Sequence, residues 1–246
     1  MREMSGMSDD RVALRGAFET PAVKRRYVRR LFGTIADRYD LITRLLSFGL
    51  DQRWKRRVLA LAGVGRGVRV LDLACGTGDL SIAAAQRGGV VTGLDITPRM
   101  IELAAARHGG GAVTWVIGDM TALPFAPASA DVVVTGYGLR NVPDLTAALT
   151  EIARVLKPGG VLLSLDFNRP DSAAVRAVYL GYLTVVGSAL GLLLHRDPDT
   201  YRYIPASIRR YPGAVRVAGQ MRAIGFGRVD VTPVLGGLMA IHAARK

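Results

Sequence analysis

Apolar residues along this chain follow two rhythms. Across residues 21–61 they recur at helical spacing, as in Leu31, Ile35, Leu41, Leu45 and Leu46, with lysines and arginines between them, and this predicts two or three helices. From Val68 the rhythm changes to short, nearly continuous apolar runs at 68–73, 90–94, 113–117, 131–135 and 161–165, which read as buried strands. Helical stretches at 79–86, 98–106 and 144–156 separate them, and Lys157-Pro158-Gly159-Gly160 supplies a stop and turn before the fifth strand. Strands and helices alternating in this order predict an α/β fold whose parallel sheet is covered on both faces. Residues 213–224 read as a further helix, and 228–234 with 238–243 as a terminal hairpin around Gly236-Gly237. The expected organisation is a loose tail over 1–20 and one domain over 21–246, with a helical cap at 21–61 and an insertion at 171–212.

Inside the insertion, residues 177–194 hold no charge and are flanked by Arg176 and His195. As a helix this stretch would be about 27 Å long, at the threshold for crossing a bilayer. Crossing would place the terminal hairpin on the far side from the sheet it completes, and Gly181, Gly187 and Gly191 argue against one straight helix. An apolar lid or interfacial helix that covers a substrate and contacts lipid is therefore expected, with a buried core helix as the plainer alternative.

The densest chemical signal runs from Val68 to Ser81: an apolar strand, a glycine turn and the start of a helix, followed by Asp95 at the end of the second strand. Gly76 and Gly78 let the backbone approach a ligand that a Cβ would push away, and the helix start offers unpaired N–H groups. Asp95 can accept from both hydroxyls of a ribose. A dinucleotide fingerprint has a third glycine where this chain has Ser81, so the spacing favours S-adenosylmethionine, which has no pyrophosphate for the helix to hold. Because ligands of open α/β sheets sit over the carboxyl ends of the strands, Asp72, Thr77, Ile96, Asp119, Met120 and Gly136 join the candidate cofactor set. Asp119 would accept from an adenine amino group and Met120 pack on the ring; the plainer alternatives are a turn cap and a core methionine.

Charge narrows the partners. The net charge is +13, and residues 15–57 alone carry twelve Lys/Arg against four Asp/Glu. Such a surface suits nucleic acid or an anionic membrane, or is simply a solvated arginine-rich face. Against nucleic acid, the chain has no Asn/Asp-Pro-Pro-Tyr/Phe segment, no second cysteine beside Cys75 and no space for an appended RNA-binding module. A single cysteine excludes an internal disulfide and a cysteine-based zinc site, and it suits a reducing cytoplasm. No metal site is expected, and residues 1–11, with Glu3, Asp9 and Asp10, do not read as a secretory signal.

Several runs are more specific. Tyr39-Asp40-Leu41 through Ser47-Phe48-Gly49 to Trp54-Lys55-Arg56, then Leu71-Asp72-Leu73-Ala74-Cys75-Gly76-Thr77-Gly78-Asp79, Gly138-Leu139-Arg140-Asn141-Val142, Arg154 to Gly160, and Tyr201-Arg202-Tyr203 resemble the ubiquinone/menaquinone C-methyltransferases. The glycine turn and Lys-Pro-Gly-Gly are shared by many class I methyltransferases, whereas the Tyr-Asp to Trp stretch, Gly-Leu-Arg-Asn-Val and the late Tyr-Arg-Tyr are far more specific. The resemblance implies a Rossmann-like, seven-stranded, mostly parallel sheet ending in an antiparallel hairpin, and methylation of a ring carbon of a demethylated prenyl quinol. The chain departs from the family pattern at Ile42-Thr43, at Asp51 and at Asp166-Phe167-Asn168.

Methyl transfer to carbon requires the nucleophile to be held in contact with the methyl group and kept dry. A phenol ring carbon becomes nucleophilic once its neighbouring hydroxyl is deprotonated, which calls for a base or water relay and a group that stabilises the phenolate. Tyr39, Arg140 and Asn141 are the candidates, and the resemblance points to the same three; Arg140 cannot give up its proton and is assigned to phenolate stabilisation and water positioning. His195 and His242 are alternative bases, although a lone histidine beside apolar sequence is more often structural. The expected partners are a prenylated quinol and an anionic membrane surface on the cytoplasmic leaflet, with an oligomer compatible with the chain. The competing classes are an RNA or other small-molecule methyltransferase and a catalytically silent scaffold of a membrane biosynthetic complex.

Overall fold

A computed structural model describes residues 14–47, 49–108 and 111–246, so most of the expected tail, and Phe48 of the cap motif, lie outside the described residues. Seven strands, β1 (Arg69–Leu73), β2 (Val90–Asp95), β3 (Val113–Ile117), β4 (Ala130–Gly136), β5 (Leu156–Phe167), β6 (Arg228–Val234) and β7 (Met239–Arg245), form one sheet in the order β3-β2-β1-β4-β5-β7-β6. The first five are parallel, and β7 inserts antiparallel between β5 and β6. This is the expected topology. It reverses outward from β1, so the loops after β1 and β4 diverge and open a crevice at their carboxyl ends.

Both faces are covered. On one, α6 (Leu145–Val155) and α9 (Ala214–Ile224) bury Leu149, Ile152, Val217 and Met221 against Leu73, Val133 and Leu162. On the other, α3 (Asp51–Leu61) and α4 (Asp79–Ala85) bury Trp54, Val58, Leu59 and Leu80 against Val70, Val134, Leu163 and Ile241. Strands buried on both sides explain why they read as continuous apolar runs. α6 starts where the sequence suggests because the Asp144 side chain accepts from the Ala147 N–H at 3.0 Å. The Lys-Pro-Gly-Gly segment, expected as a turn before the fifth strand, lies inside β5. Pairing jumps from Ala130↔Leu156 to Val132↔Val161, so these residues loop out as a bulge.

The cap is α1 (Pro21–Ile35), α2 (Tyr39–Leu46) and α3, with a short 3-10 turn at Ala36–Arg38, and α5 (Pro98–His108) follows β2. The insertion is α7 (Ala173–His195) and α8 (Asp199–Arg210). Here the structure departs from the sequence reading twice. α7 is one uninterrupted helix of 23 residues despite its glycines, because two of them are close-approach points for α8. A Cβ at Gly187 would lie 3.2 Å from the Tyr201 carbonyl oxygen, and one at Gly191 would collide with that of Asp197, in the turn that leads into α8. α8 was not anticipated, since Pro205 lies inside it. Proline cannot donate to the carbonyl four residues back, and that carbonyl, Tyr201 O, is the one facing Gly187.

Among the described residues α7 is the one helix long and apolar enough to cross a membrane. Its neighbours rule that arrangement out for this fold: β5 precedes it, β7 pairs with β5, and α8 packs along it. Cap and insertion share a cluster of Val28, Leu31, Ile35, Ile42 and Leu46 with Tyr201 and Tyr203, which roofs the carboxyl ends of the strands.

Candidate active site

Under that roof lie two cavities. The first is a cleft of the concave kind that holds small molecules, and α1 covers it with Arg25, Val28 and Phe32. Tyr39, Gly76, Asp95, Ile96, Asp119, Met120, Gly136 and Asn141, all singled out from the sequence, line it. So do Ala74 (φ 54°) and Tyr137 (φ 63°), at the ends of β1 and β4, which are left-handed without being glycine. Such strain costs on the order of 1–3 kcal/mol and collects at ligand sites.

Asp95 organises this cavity. Its Oδ2 accepts from the Gly76 N–H at 3.0 Å and its Oδ1 from the Thr97 N–H at 2.8 Å, tying the glycine turn to the start of α5. Burial raises its carboxyl pKa and those N–H bonds work against the rise. Each oxygen can accept again, so a diol at the cavity wall is still within its capacity. Asp119 is more fully engaged: Oδ1 accepts from the Thr121 N–H at 2.8 Å and hydroxyl at 2.7 Å, while Oδ2 pairs with Arg25 Nε at 2.7 Å. It fastens α1 across the cavity mouth in addition to lining it.

Three expected cofactor residues lie off both cavities. Asp72 is buried beneath the turn, where Oδ2 accepts from Ser81 Oγ at 2.6 Å, Oδ1 has no partner, and burial pushes its pKa up to about 7. Ser81 thus occupies the place of the missing third glycine as a partner of Asp72. The Thr77 hydroxyl donates to Asp40 Oδ1 at 2.6 Å and so ties the turn to the cap. Gly78 (φ 91°) is the N-cap of α4, and a Cβ there would fall 2.5 Å from Trp115. The structure places these three behind the turn, which they shape.

The second cavity is largely apolar and aromatic, walled by Leu31, Ile35, Ile42 and Leu46 of the cap and by Tyr201, Tyr203 and Ile204 of α8, with Thr43, Ser47, Arg140, Asn141 and Thr200 as its polar lining. Phe32, Tyr39, Tyr137 and Asn141 line both cavities. Asn141 Nδ2 donates to the Tyr137 carbonyl at 2.8 Å, which leaves Oδ1 buried without a partner; the Tyr137 hydroxyl is likewise unpartnered. Burial pushes the Tyr39 and Tyr137 hydroxyls up from the usual phenol range, so they stay protonated.

Arg140 reaches the second cavity but not the first. Its Nη1 pairs with Asp166 Oδ1, its Nε donates to Ser207 Oγ at 2.8 Å, its backbone N–H donates to Asp166 Oδ2 at 3.0 Å, and the guanidinium lies over Phe167 at 4.8 Å. Lys24 of α1 donates to the carbonyls of Arg140 at 3.1 Å and Val142 at 2.6 Å, and so holds the whole 138–142 loop. Burial, reinforced by the Arg140 charge, brings the Lys24 pKa down to about 8. Sequence reasoning missed Lys24, which is one of many cations in the basic run, and Ser207, which sits in an unrecognised helix. The charge retained at Asp166 was the available signal for the third partner.

Neither histidine alternative lines a cavity. His195 Nε2 lies 3.0 Å from the Tyr201 hydroxyl, and His242 Nε2 donates to the Ala214 carbonyl at 2.9 Å from within β7. Burial lowers the pKa of both. The family departure at Asn168 is also accounted for: its side chain accepts from the Ala214 N–H and donates to the Gly237 carbonyl, both at 2.9 Å, which fastens β5 to α9 and the terminal hairpin.

A glycine-floored, acid-edged cavity that shares Phe32, Tyr39, Tyr137 and Asn141 with a second, largely apolar one is what a methyl donor and an acceptor would need. The family model described as the ubiE/COQ5 methyltransferase family matches residues 20–246. The chain belongs to that family. It is 37% identical over 230 residues to the ubiquinone/menaquinone biosynthesis C-methyltransferase UbiE of Idiomarina loihiensis, covering 91% of this chain and 92% of that protein. It is 38% identical over 219 residues to the demethylmenaquinone methyltransferase of a Mycobacterium species, covering 89% and 94%. Among solved structures, an Aquifex aeolicus SAM-dependent methyltransferase superposes with a TM-score of 0.57 at 18% identity, over 80% of this chain and 91% of that one. A putative methyltransferase bound to the Haloferax volcanii Trm112 activator gives 0.62 at 20%, over 87% and 96%. The chain is an S-adenosylmethionine-dependent methyltransferase.

Proposed function

We propose that this protein methylates a ring carbon of a demethylated, prenylated quinol at the cytoplasmic leaflet of the cell membrane. The observation that carries the reading is the shared wall: Phe32, Tyr39, Tyr137 and Asn141 face both cavities, so a ring in the second lies next to a donor in the first. S-adenosylmethionine supplies an electrophilic methyl group on sulfonium. Residues fitted to hold it are Asp95 for the ribose hydroxyls, Met120 and Ile96 beside the adenine, and the Ala74–Gly76 turn, where a Cβ on Gly76 would approach Tyr39 at 3.6 Å. The acceptor ring lies among Tyr39, Tyr137 and Phe167. Asn141 Oδ1, free of any partner, accepts from a ring hydroxyl, and Arg140 stabilises the phenolate that forms when that hydroxyl passes its proton to a water relay; the hydroxyl is restored by the ring hydrogen that the methyl group replaces, so one proton leaves to solvent in net. The closed apolar roof excludes water from the reacting pair.

The membrane surface is supported by the outer face of α7, where Val178, Val185, Leu192 and Leu193 are 59–78% exposed, and by the exposed Arg26, Arg29 and Arg30 of α1. Leu194 is not part of that face, for it packs against the cap cluster. Incubating the protein with labelled S-adenosylmethionine, a demethylated quinol and anionic vesicles should give ring-carbon methylation and salt-sensitive sedimentation. Changing Val185, Leu192 and Leu193 to serine should weaken sedimentation further. Methyl transfer to RNA with none to the quinol would overturn the substrate reading, and equal recovery in the supernatant with and without vesicles would overturn the membrane reading.

A further inference from the structure

Beside the second cavity, along α7, lies a separate apolar groove. Leu46 and Phe167 line both, so these two side chains stand between the groove and the second cavity. Its sides are Val175, Val178, Tyr179 and Tyr182 on α7 facing Leu235 and Leu238 of the β6–β7 turn. Among the described residues, no charged one lines it. A long hydrogen bond, from the Tyr179 hydroxyl to the Leu238 carbonyl at 3.4 Å, joins its two sides. Val175, Val178 and Tyr182 are exposed along its rim.

This placement answers a steric problem. A ring seated in the second cavity is covered by cap and α8, and a chain attached to that ring has to leave it. A polar exit would desolvate hydrogen-bonding groups against hydrocarbon, whereas Leu46 and Phe167 open onto a trough with only apolar and aromatic walls. We infer that the groove between α7 and the β6–β7 turn is the binding site for the isoprenoid chain of the acceptor, led out past Leu46 and Phe167 and delivered at the exposed face of α7. The inference rests on the quinol reading for the ring but on the groove alone for the chain.

Two measurements test it without vesicles, so that membrane attachment plays no part. Calorimetric binding of farnesol, an isoprenoid alcohol without a quinol ring, is compared between the wild-type protein and Ala174→Trp/Val178→Trp, whose changes lie on exposed helical positions and fill the groove. Binding should weaken about tenfold or more in the variant, as burial of several methylene-sized groups is lost. Methyl transfer is then followed with a tail-free demethylated quinol and with one bearing two isoprene units. The wild type should favour the tailed substrate in kcat/KM by about tenfold, and the variant should lose that preference while keeping its rate on the tail-free quinol. Equal farnesol binding by both proteins, or an unchanged tail preference in the variant, would overturn the groove assignment. Groove-dependent farnesol binding with neither quinol methylated would leave the groove standing and overturn the quinol reading.

Discussion

Replacing Lys24 with methionine probes how the cap is coupled to the loop that carries Arg140 and Asn141. Lys24 is held by two backbone carbonyls in a site that brings its pKa from 10.5 to about 8, with burial the first cause and the charges of Arg140 and Arg210 lowering it against Asp166, which raises it. A depressed folded pKa means that the folded protein binds fewer protons than the unfolded chain between about pH 8 and 10.5. The stability linked to this group is therefore present above the unfolded pKa and lost as pH falls through the folded one. At about 1.36 kcal/mol per unit, the change between pH 7 and 10 is about 2 kcal/mol once partial exposure of the side chain is allowed for. The methionine variant lacks this titration. Urea unfolding of both proteins at pH 7 and pH 10 should show the wild type gaining about 2 kcal/mol on the variant at the higher pH. At pH 7 the variant should also bind S-adenosylmethionine several-fold more weakly, because Gly138, Asn141 and Val142 wall the first cavity. A stability difference that stays constant across the range would refute the placement of Lys24 as a buried latch.

Two further outcomes follow from the site. Asp95→Ala should weaken S-adenosylmethionine binding more than about tenfold, and Asp95→Asn less, because charge-assisted bonds of roughly 1.5–3 kcal/mol are at stake and asparagine keeps one acceptor oxygen for the turn; equal calorimetric affinity in the wild type and a folded alanine variant would remove Asp95 from the site. Tyr39→Phe should lower turnover with cofactor affinity within a few fold, whereas Arg140→Ala should also lose about 3–5 kcal/mol of stability by leaving Asp166 buried and unpaired, so a wild-type melting curve for Arg140→Ala would contradict the pairing.

What the sequence made legible follows from period and from glycine. Strands β3 and β6 coincide with their expected bounds to the residue, although both are half-exposed strands at the two edges of the sheet. α8 was illegible because Pro205 marks a break in isolation, while in the fold Gly187 shelters the carbonyl that proline leaves free. The glycines of α7 misled for the same reason: their cost to the helix is local, and their return is a contact made fourteen and six residues further on, with Tyr201 and Asp197. At the site, Asp95, Gly76 and Asn141 could be placed from strand ends alone. Thr77 and Asp72 could not, because whether a turn residue faces forward or backward depends on Asp40 and Ser81, which the motif does not mark.

The motifs also divide in space according to how widely they are shared. The glycine turn, common to many methyltransferases, forms the floor of the first cavity with Asp95. The more specific runs build the roof. Tyr203 stacks on Phe18 at 5.6 Å and lies 5.4 Å from Tyr27, while Tyr201 is tied to His195, so the late Tyr-Arg-Tyr is the seam where insertion meets cap. Arg202 between them points to the other side, donating to Ser188 Oγ at 2.7 Å and pairing with Asp199. Gly-Leu-Arg-Asn-Val joins the two levels, with Asn141 facing both cavities and Arg140 only the second. A donor common to many enzymes needs only the floor, and an acceptor particular to one family has to be selected by the roof. Substitutions at Tyr201 or Tyr203 should therefore act on the choice of acceptor before they act on the cofactor.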